Sequence, residues 1–175
     1  AKVVGYGEIG LDFFRDWSPQ DRQIATFEVQ LDMAKKLNKP VVIHLRDAYT
    51  QGLDMIERAS PLPAGGVVHC FSGSMEDAER TLDLGFHISI PGTITYKKNS
   101  TFRDIVRALP EDRILLETDC PFLSPEPLRG RTNEPANIIR TAEKVAEIRG
   151  IPLKELARIT TTNAIRLFRL PYPKA

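Results

Sequence analysis

Short apolar runs alternate with longer amphipathic segments along the chain, and this alternation predicts an α/β fold. In the longer segments apolar residues recur at spacings of three and four, as on one face of a helix. The predicted strands cover residues 3–8, 41–45, 67–70, 86–90 and 114–117, and the predicted helices cover residues 19–37, 48–59, 75–84, 101–108, 136–149 and 153–168. Ser18, Asp47 and Ser74 precede helices and are predicted N-caps. No linker interrupts this pattern, so residues 1–175 are expected to form a single domain.

Four of the predicted strands lead into a residue that can bind a metal ion. These residues are Glu8, His44, His69 and Asp119. Ligand candidates at the ends of several strands are typical of a TIM-type (β/α) barrel, whose site lies at the carboxyl ends of its strands. A Gly-x-Gly-x-x-Gly segment follows none of the strands, which counts against a dinucleotide-binding sheet. Five strands do not close an eight-stranded barrel, so the barrel is expected to be incomplete.

Two imidazoles and two carboxylates form a mixed nitrogen and oxygen set that suits Zn²⁺, Mn²⁺ or a similar divalent ion. Such an ion lowers the pKa of bound water, and a free carboxylate can take the proton. A single histidine or carboxylate at a strand end is more often structural. Four of them at equivalent strand ends favour a metal site.

Composition narrows the class of protein without identifying a partner. Hydrophobic residues make up 42% of the chain and charged residues 27%, as in soluble globular proteins. The chain has 24 Lys and Arg against 23 Asp and Glu, so its net charge gives no sign of a nucleic-acid partner. No apolar run approaches the roughly 20 residues that span a bilayer. No membrane association is therefore expected. Two cysteines do not form a disulfide framework, which favours a reducing cytoplasmic setting.

At these strand ends the chain resembles the TatD family of metal-dependent deoxyribonucleases, over nearly its whole length. The motifs that carry the resemblance are GEIGLD at 7–12, VIHLR at 42–46, HCFSG at 69–73, ETDCPFL at 117–123, RTNEP at 131–135 and NAIRLF at 163–168. One such motif is weak, but all of them in this order are specific. The resemblance implies a TIM-type barrel that hydrolyses phosphodiester bonds in DNA, including exonucleolytic trimming of single strands or 3′ ends.

The resemblance also assigns roles to single residues. It implies one or two divalent ions, zinc, magnesium or manganese, with Glu8 bridging them and His44 and His69 completing one site. Asp119 would hold the other ion and, with Glu8, contribute to catalysis by helping to activate water. Cationic and polar side chains near these ligands are candidates for phosphate contacts, namely Arg46, Ser72, Arg129 and Arg131. Tyr96 and Phe122 are candidates for base stacking.

The chain departs from the family at its start. The family begins with a strand that carries a His-x-His pair, and this sequence has no such pair. The chain is therefore expected to be the C-terminal two thirds of a longer protein, with one metal site nearly whole. Two alternatives stay open, a metal-dependent amide or ester hydrolase such as a D-aminoacyl-tRNA deacylase, and a non-catalytic fragment. No obligate protein partner is expected.

Overall fold

The computed structural model describes residues 2–15 and 17–171, which contain five strands and six α-helices. The strands are β1 (Tyr6–Asp12), β2 (Val41–Arg46), β3 (Gly66–Val68), β4 (His87–Ile90) and β5 (Ile114–Leu116). The helices are α1 (Gln20–Leu37), α2 (Tyr49–Ala59), α3 (Met75–Asp83), α4 (Ser100–Ala108), α5 (Ile138–Arg149) and α6 (Leu153–Phe168). Each predicted helix and strand is present, with its bounds shifted by a few residues.

All five strands are parallel and lie in the order in which they occur along the chain, β1-β2-β3-β4-β5. A doubly wound sheet reverses its strand order at a switch point, whereas a (β/α) barrel does not. The unbroken order confirms the predicted TIM-type architecture. The described residues supply five strands, whereas a closed barrel of this type has eight.

Alternation along β2 explains how the sheet separates its core from its site. Val41, Ile43 and Leu45 lie in the main apolar core together with side chains of the helices. Successive side chains of a strand point to opposite faces, so His44 and Arg46 share the other face. The strand therefore buries its apolar residues against the helices and presents its polar residues on the opposite side.

The first strand differs from its prediction. We expected it to end at Glu8, but it continues to Asp12. The register passes from Gly7 opposite Val42 to Ile9 opposite Ile43, so Glu8 is an extra residue in the strand. A β-bulge of this kind breaks the alternation from which the end of the strand was predicted.

Two of the three predicted helix caps are wrong. Ser74 accepts a hydrogen bond from the amide of Asp77 and completes a capping box at α3, as predicted. The N-cap positions of α1 and α2 are Pro19 and Ala48, and neither makes a side-chain cap bond. Ser18 and Asp47 each lie one residue too early to cap.

Among residues 2–15 and 17–171, no helix is long and apolar enough to cross a membrane.

Candidate metal centre

Glu8 reaches its neighbours because the β-bulge is flanked by two glycines with positive φ. A Cβ atom at Gly7, where φ is 154°, would lie 2.7 Å from the carbonyl oxygen of Val42. A Cβ atom at Gly10, where φ is 148°, would collide with the carbonyl of His44. Only glycine lets β1 approach β2 this closely. The sequence Gly-Glu-Ile-Gly therefore brings the Glu8 carboxylate to the side chains at the end of β2.

His44 and His69 converge on one oxygen of Glu8. The Oε1 atom of Glu8 lies 2.9 Å from His44 Nδ1 and 2.9 Å from His69 Nε2. The two nitrogens are themselves 3.1 Å apart. Three residues, on β1, on β2 and directly after β3, are separated by up to 61 positions in the sequence and meet at one point.

The chemistry of these three atoms suits a divalent ion. Their separations of 2.9 to 3.1 Å are hydrogen-bond contacts, somewhat shorter than the separation of about 3.4 Å between ligands of a tetrahedral ion with bonds of about 2.1 Å. Glu8, His44 and His69 form a group whose ligand atoms all lie within 4.8 Å of one another. Two imidazole nitrogens and one carboxylate oxygen are a donor set that suits zinc or manganese.

Each histidine also contacts a carboxylate through its other ring nitrogen. His44 Nε2 lies 3.3 Å from Asp12 Oδ2, and His69 Nδ1 lies 3.4 Å from Glu117 Oε1. Carboxylates in this position fix the tautomer and orientation of metal-binding histidines. The sequence analysis missed both of these residues as site residues. Asp12 lies four residues after Glu8, and Glu117 lies two residues before Asp119. Residues an even number of positions apart in a strand share a face, and this spacing could have identified both as candidates.

Asp119 lies close to His69 and Glu117. With His69 and Glu117 it forms a second group whose ligand atoms lie within 4.8 Å of one another. Its backbone is left-handed, with φ of 55°, at the turn that follows β5. The structure therefore brings together all four predicted ligands, with His69 common to the two groups.

The pKa values of Glu8 and Asp119 are shifted in opposite directions. Hydrogen bonds from His44 and His69 hold the pKa of Glu8 far below its usual range. Burial lowers the pKa of His69, but hydrogen bonds with Glu117 and Glu8 and their charges outweigh it and raise that pKa to about 10. Burial and the negative charges of Glu117 and Glu8 raise the pKa of Asp119. Glu8 is thus a firm anion, while Asp119 accepts a proton more readily than an ordinary aspartate.

Comparison with known proteins agrees with the motifs. The family described as TatD related DNase matches residues 1–169. This chain belongs to the TatD family. It is 43% identical over 169 residues to the "Uncharacterized metal-dependent hydrolase YabD" of Bacillus subtilis (strain 168), covering 97% of this chain and 66% of YabD. It is also 43% identical to the "3'-5' ssDNA/RNA exonuclease TatD" of Rahnella sp. (strain Y9602), covering 96% of this chain and 66% of that protein.

Solved TatD structures have the same fold. The crystal structure of the TatD homologue YjjV from Escherichia coli K12 matches with a TM-score of 0.92 and 40% identity, over 98% of this chain and 66% of that chain. A TatD family hydrolase from Entamoeba histolytica matches with a TM-score of 0.85 and 25% identity, over 99% of this chain and 64% of that chain. The chain spans slightly less than two thirds of the length of these TatD relatives.

The phosphate candidates of this TatD chain lie in segments that follow the strands or, for Arg46, at a strand end. Arg46 ends β2, and its guanidinium carbon lies 3.8 Å from the centre of the Phe14 ring. The backbone amide of Ser72 donates to the Tyr49 hydroxyl at 2.8 Å, which leaves the Ser72 side chain exposed. Each of these two residues therefore has a partner that fixes its position.

The other two phosphate candidates, Arg129 and Arg131, lie in the long loop after β5, and both are exposed. The guanidinium carbon of Arg129 is 4.4 Å from the centre of the Tyr96 ring. The carbonyl of Arg131 accepts a hydrogen bond of 2.6 Å from the buried Ser124 hydroxyl. Phe122, the second stacking candidate, is 66% exposed in the same loop. The loop therefore presents two cations and an aromatic ring to solvent.

Proposed function

We propose that this protein is a metal-dependent hydrolase that cleaves phosphodiester bonds in DNA by exonucleolytic trimming. The observation that carries the proposal is the convergence of Glu8, His44 and His69 on one point, with Asp119 grouped with His69 and Glu117 beside them. The relatives named metal-dependent hydrolase and 3'-5' ssDNA/RNA exonuclease support it.

In this proposal Glu8, His44 and His69 hold one divalent ion, zinc, magnesium or manganese. Asp119 and Glu8 serve a second ion where one is bound. A bound ion supplies a Lewis acid for the phosphoryl oxygen and lowers the pKa of a water molecule. Asp119 is the proposed acceptor of the proton of the attacking water, because Glu8, the other catalytic carboxylate, is engaged by both histidines.

Four side chains are proposed to contact the phosphates of the substrate. Arg46, Arg129 and Arg131 offer positive charge, and Ser72 offers a hydroxyl, around the carboxyl ends of the strands. Such contacts position a nucleic-acid backbone without reading its sequence. The arginines favour an anionic phosphodiester over a neutral amide or ester, which is the rival substrate class. We place the activity in the cytoplasm, in keeping with the free thiols of Cys70 and Cys120, and without a membrane or an obligate protein partner.

The test is cleavage of a single-stranded DNA labelled at its 5′ end, with magnesium, manganese or zinc added in turn. We expect shortening from the 3′ end that a chelator stops and that His69→Ala abolishes. His87→Gln is the matched control, because His87 lies on β4 outside the cluster and should leave cleavage unchanged. Elemental analysis should find a divalent metal that Glu8→Gln loses. A protein that hydrolyses amides or esters but never DNA would overturn the proposed substrate, and a protein that binds no metal would overturn the centre itself.

A further inference from the structure

The loop between β1 and α1 exposes two aromatic side chains beside the candidate metal centre. Phe14 is 56% exposed and Trp17 is 85% exposed. Neighbouring exposed aromatic rings form an apolar patch of the kind that can mark a binding site, and every nucleobase has a flat face that such rings can cover. This pair was not among the stacking candidates found from the sequence.

Two arginines accompany these rings. The guanidinium carbon of Arg46 lies 3.8 Å from the centre of the Phe14 ring. That of Arg15 lies 5.8 Å from the Phe14 ring and 5.4 Å from the Trp17 ring. The loop therefore combines flat apolar faces with positive charge, which is the chemistry of a surface that binds bases and phosphates together.

Hydrogen bonds at both ends hold this loop in place. The Oδ1 atom of Asp12 accepts from the amides of Phe14 at 3.0 Å and Arg15 at 2.9 Å. The Nε2 atom of Gln23 donates to the carbonyls of Asp12 at 3.0 Å and Ser18 at 2.8 Å, and its Oε1 accepts from the amide of Asp12 at 2.8 Å. One glutamine side chain thus ties the start of the loop to its end. A loop held in this way has less conformational freedom to lose on binding.

The same aspartate links the loop to the metal centre. The Oδ2 atom of Asp12 lies 3.3 Å from Nε2 of His44, while its Oδ1 atom holds the two loop amides. The aromatic loop and a proposed metal ligand are therefore fixed by opposite oxygens of one carboxylate. A single-stranded nucleic acid whose bases lie on the loop would have its phosphate backbone beside the candidate metal centre.

We propose that Phe14, Arg15 and Trp17 form a base-stacking platform that selects single-stranded nucleic acid for the centre. The bases inside a duplex are already stacked on each other and paired, so they cannot lie on these rings without being unstacked, whereas any base of a single strand can. The platform rests on the proposed function for its role in catalysis, but it makes a separate claim about binding. DNA and RNA both offer the required base faces and phosphates, so both are expected to bind.

The platform can be tested by binding alone, with metal removed by a chelator so that no cleavage occurs. Trp17 is the single tryptophan of the chain, so its fluorescence reports directly on a base stacked against it. The two probes are a short thymidine oligonucleotide and an oligonucleotide of the same length with abasic residues. Both carry the same phosphates, and only the first carries bases. Thymidine should quench the fluorescence of Trp17, and the abasic strand should not.

Affinity for the two probes is then compared across variants by fluorescence anisotropy of a dye on the oligonucleotide. Trp17→Ala should bind the thymidine strand about 5- to 150-fold more weakly and the abasic strand equally well. Trp17→Phe should restore most of the lost affinity, because it restores a stacking face. Val29→Ala, at an exposed apolar position on α1, is the control and should change neither affinity.

Three results would overturn the platform. They are equal affinity of the unchanged protein for the two strands, equal losses for both strands in Trp17→Ala, and a lowered melting temperature in Trp17→Ala, which would mean that Trp17 packs against protein instead. A failure of the proposed function would look different. The thymidine preference would then be intact while the metal-loaded protein left DNA uncut.

Discussion

Asn133 holds the loop that carries Asp119, and its replacement by alanine should be strongly destabilising. The side chain is buried, with 3% exposure. Its Nδ2 atom donates to the carbonyls of Thr118 and Phe122, each at 2.7 Å, and its Oδ1 accepts from the Glu134 amide and from Asn137 Nδ2, each at 2.9 Å. At about 1 kcal/mol per hydrogen bond, Asn133→Ala should lower the free energy of unfolding by about 4 kcal/mol.

Asn163 offers a matched control for this prediction. It is also 3% exposed, but its Nδ2 atom makes two bonds, to the carbonyls of Glu111 at 2.7 Å and Ile114 at 2.9 Å. The loss of side-chain volume is the same in both alanine variants, so the difference between them reports the hydrogen bonds. We expect about 2 kcal/mol for Asn163→Ala, half the cost of Asn133→Ala.

The assay is urea denaturation of the two variants and the unchanged protein, with thermal melting as a second measure. For a chain of this size, 4 kcal/mol corresponds to a decrease of about 8–16 °C in the melting temperature. Equal destabilisation by the two variants, or a larger effect of Asn163→Ala, would refute the hydrogen-bond argument. Asn133→Ala should also reduce metal-dependent cleavage, because the turn at Asp119 follows the Thr118 carbonyl that Asn133 holds.

Two further predictions concern Glu117 and His87. Glu117→Gln should weaken metal affinity about 10- to 100-fold, measured by competition with a chelator, because Glu117 lies 3.4 Å from His69 Nδ1 and helps to orient that ring. An affinity equal to that of the surface control Glu76→Gln would contradict this. Burial and the charge of Arg113 lower the pKa of His87, so below about pH 6.5 the unfolded chain binds the proton more readily than the folded protein. Stability should therefore fall between about pH 7 and pH 5 in urea denaturation, and more than it does for His87→Gln; parallel pH profiles would rule this out.

Much of the fold was predictable because each element carries its own signal. The apolar stripe of α1, with Phe27, Leu31 and Ala34 buried, is a local pattern with the period of a helix. The strands of a parallel sheet are short apolar runs between helices, and their carboxyl ends meet at one edge. Glu8, His44, His69 and Asp119 could therefore be placed together before any coordinates were known.

The helix caps show where local sequence patterns fail to predict the structure. Ser74 is followed three residues later by Asp77, and the two side chains bond reciprocally to each other's amides. Asp47 precedes a helix in the same way, but its backbone is left-handed, with φ of 51°, and α2 begins after Ala48. Ser18 does not cap α1, and its carbonyl accepts a hydrogen bond from Gln23 Nε2 at the end of the loop between β1 and α1. A cap depends on backbone angles that the loop before it sets, and those angles depend on distant contacts.

The orientation of the two histidines depends on the same non-local information. A histidine at a strand end can present either ring nitrogen, and the sequence does not say which. Here His44 presents Nδ1 and His69 presents Nε2 to Glu8, because Asp12 and Glu117 lie beside the opposite nitrogens. Asp12 reaches His44 only because β1 continues past its bulge, with Gly10 opposite His44 in the sheet. The extra residue at Glu8 therefore has two effects. It turns the Glu8 carboxylate toward the two histidines. It also brings the Asp12 carboxylate to Nε2 of His44, the ring nitrogen that Glu8 does not contact.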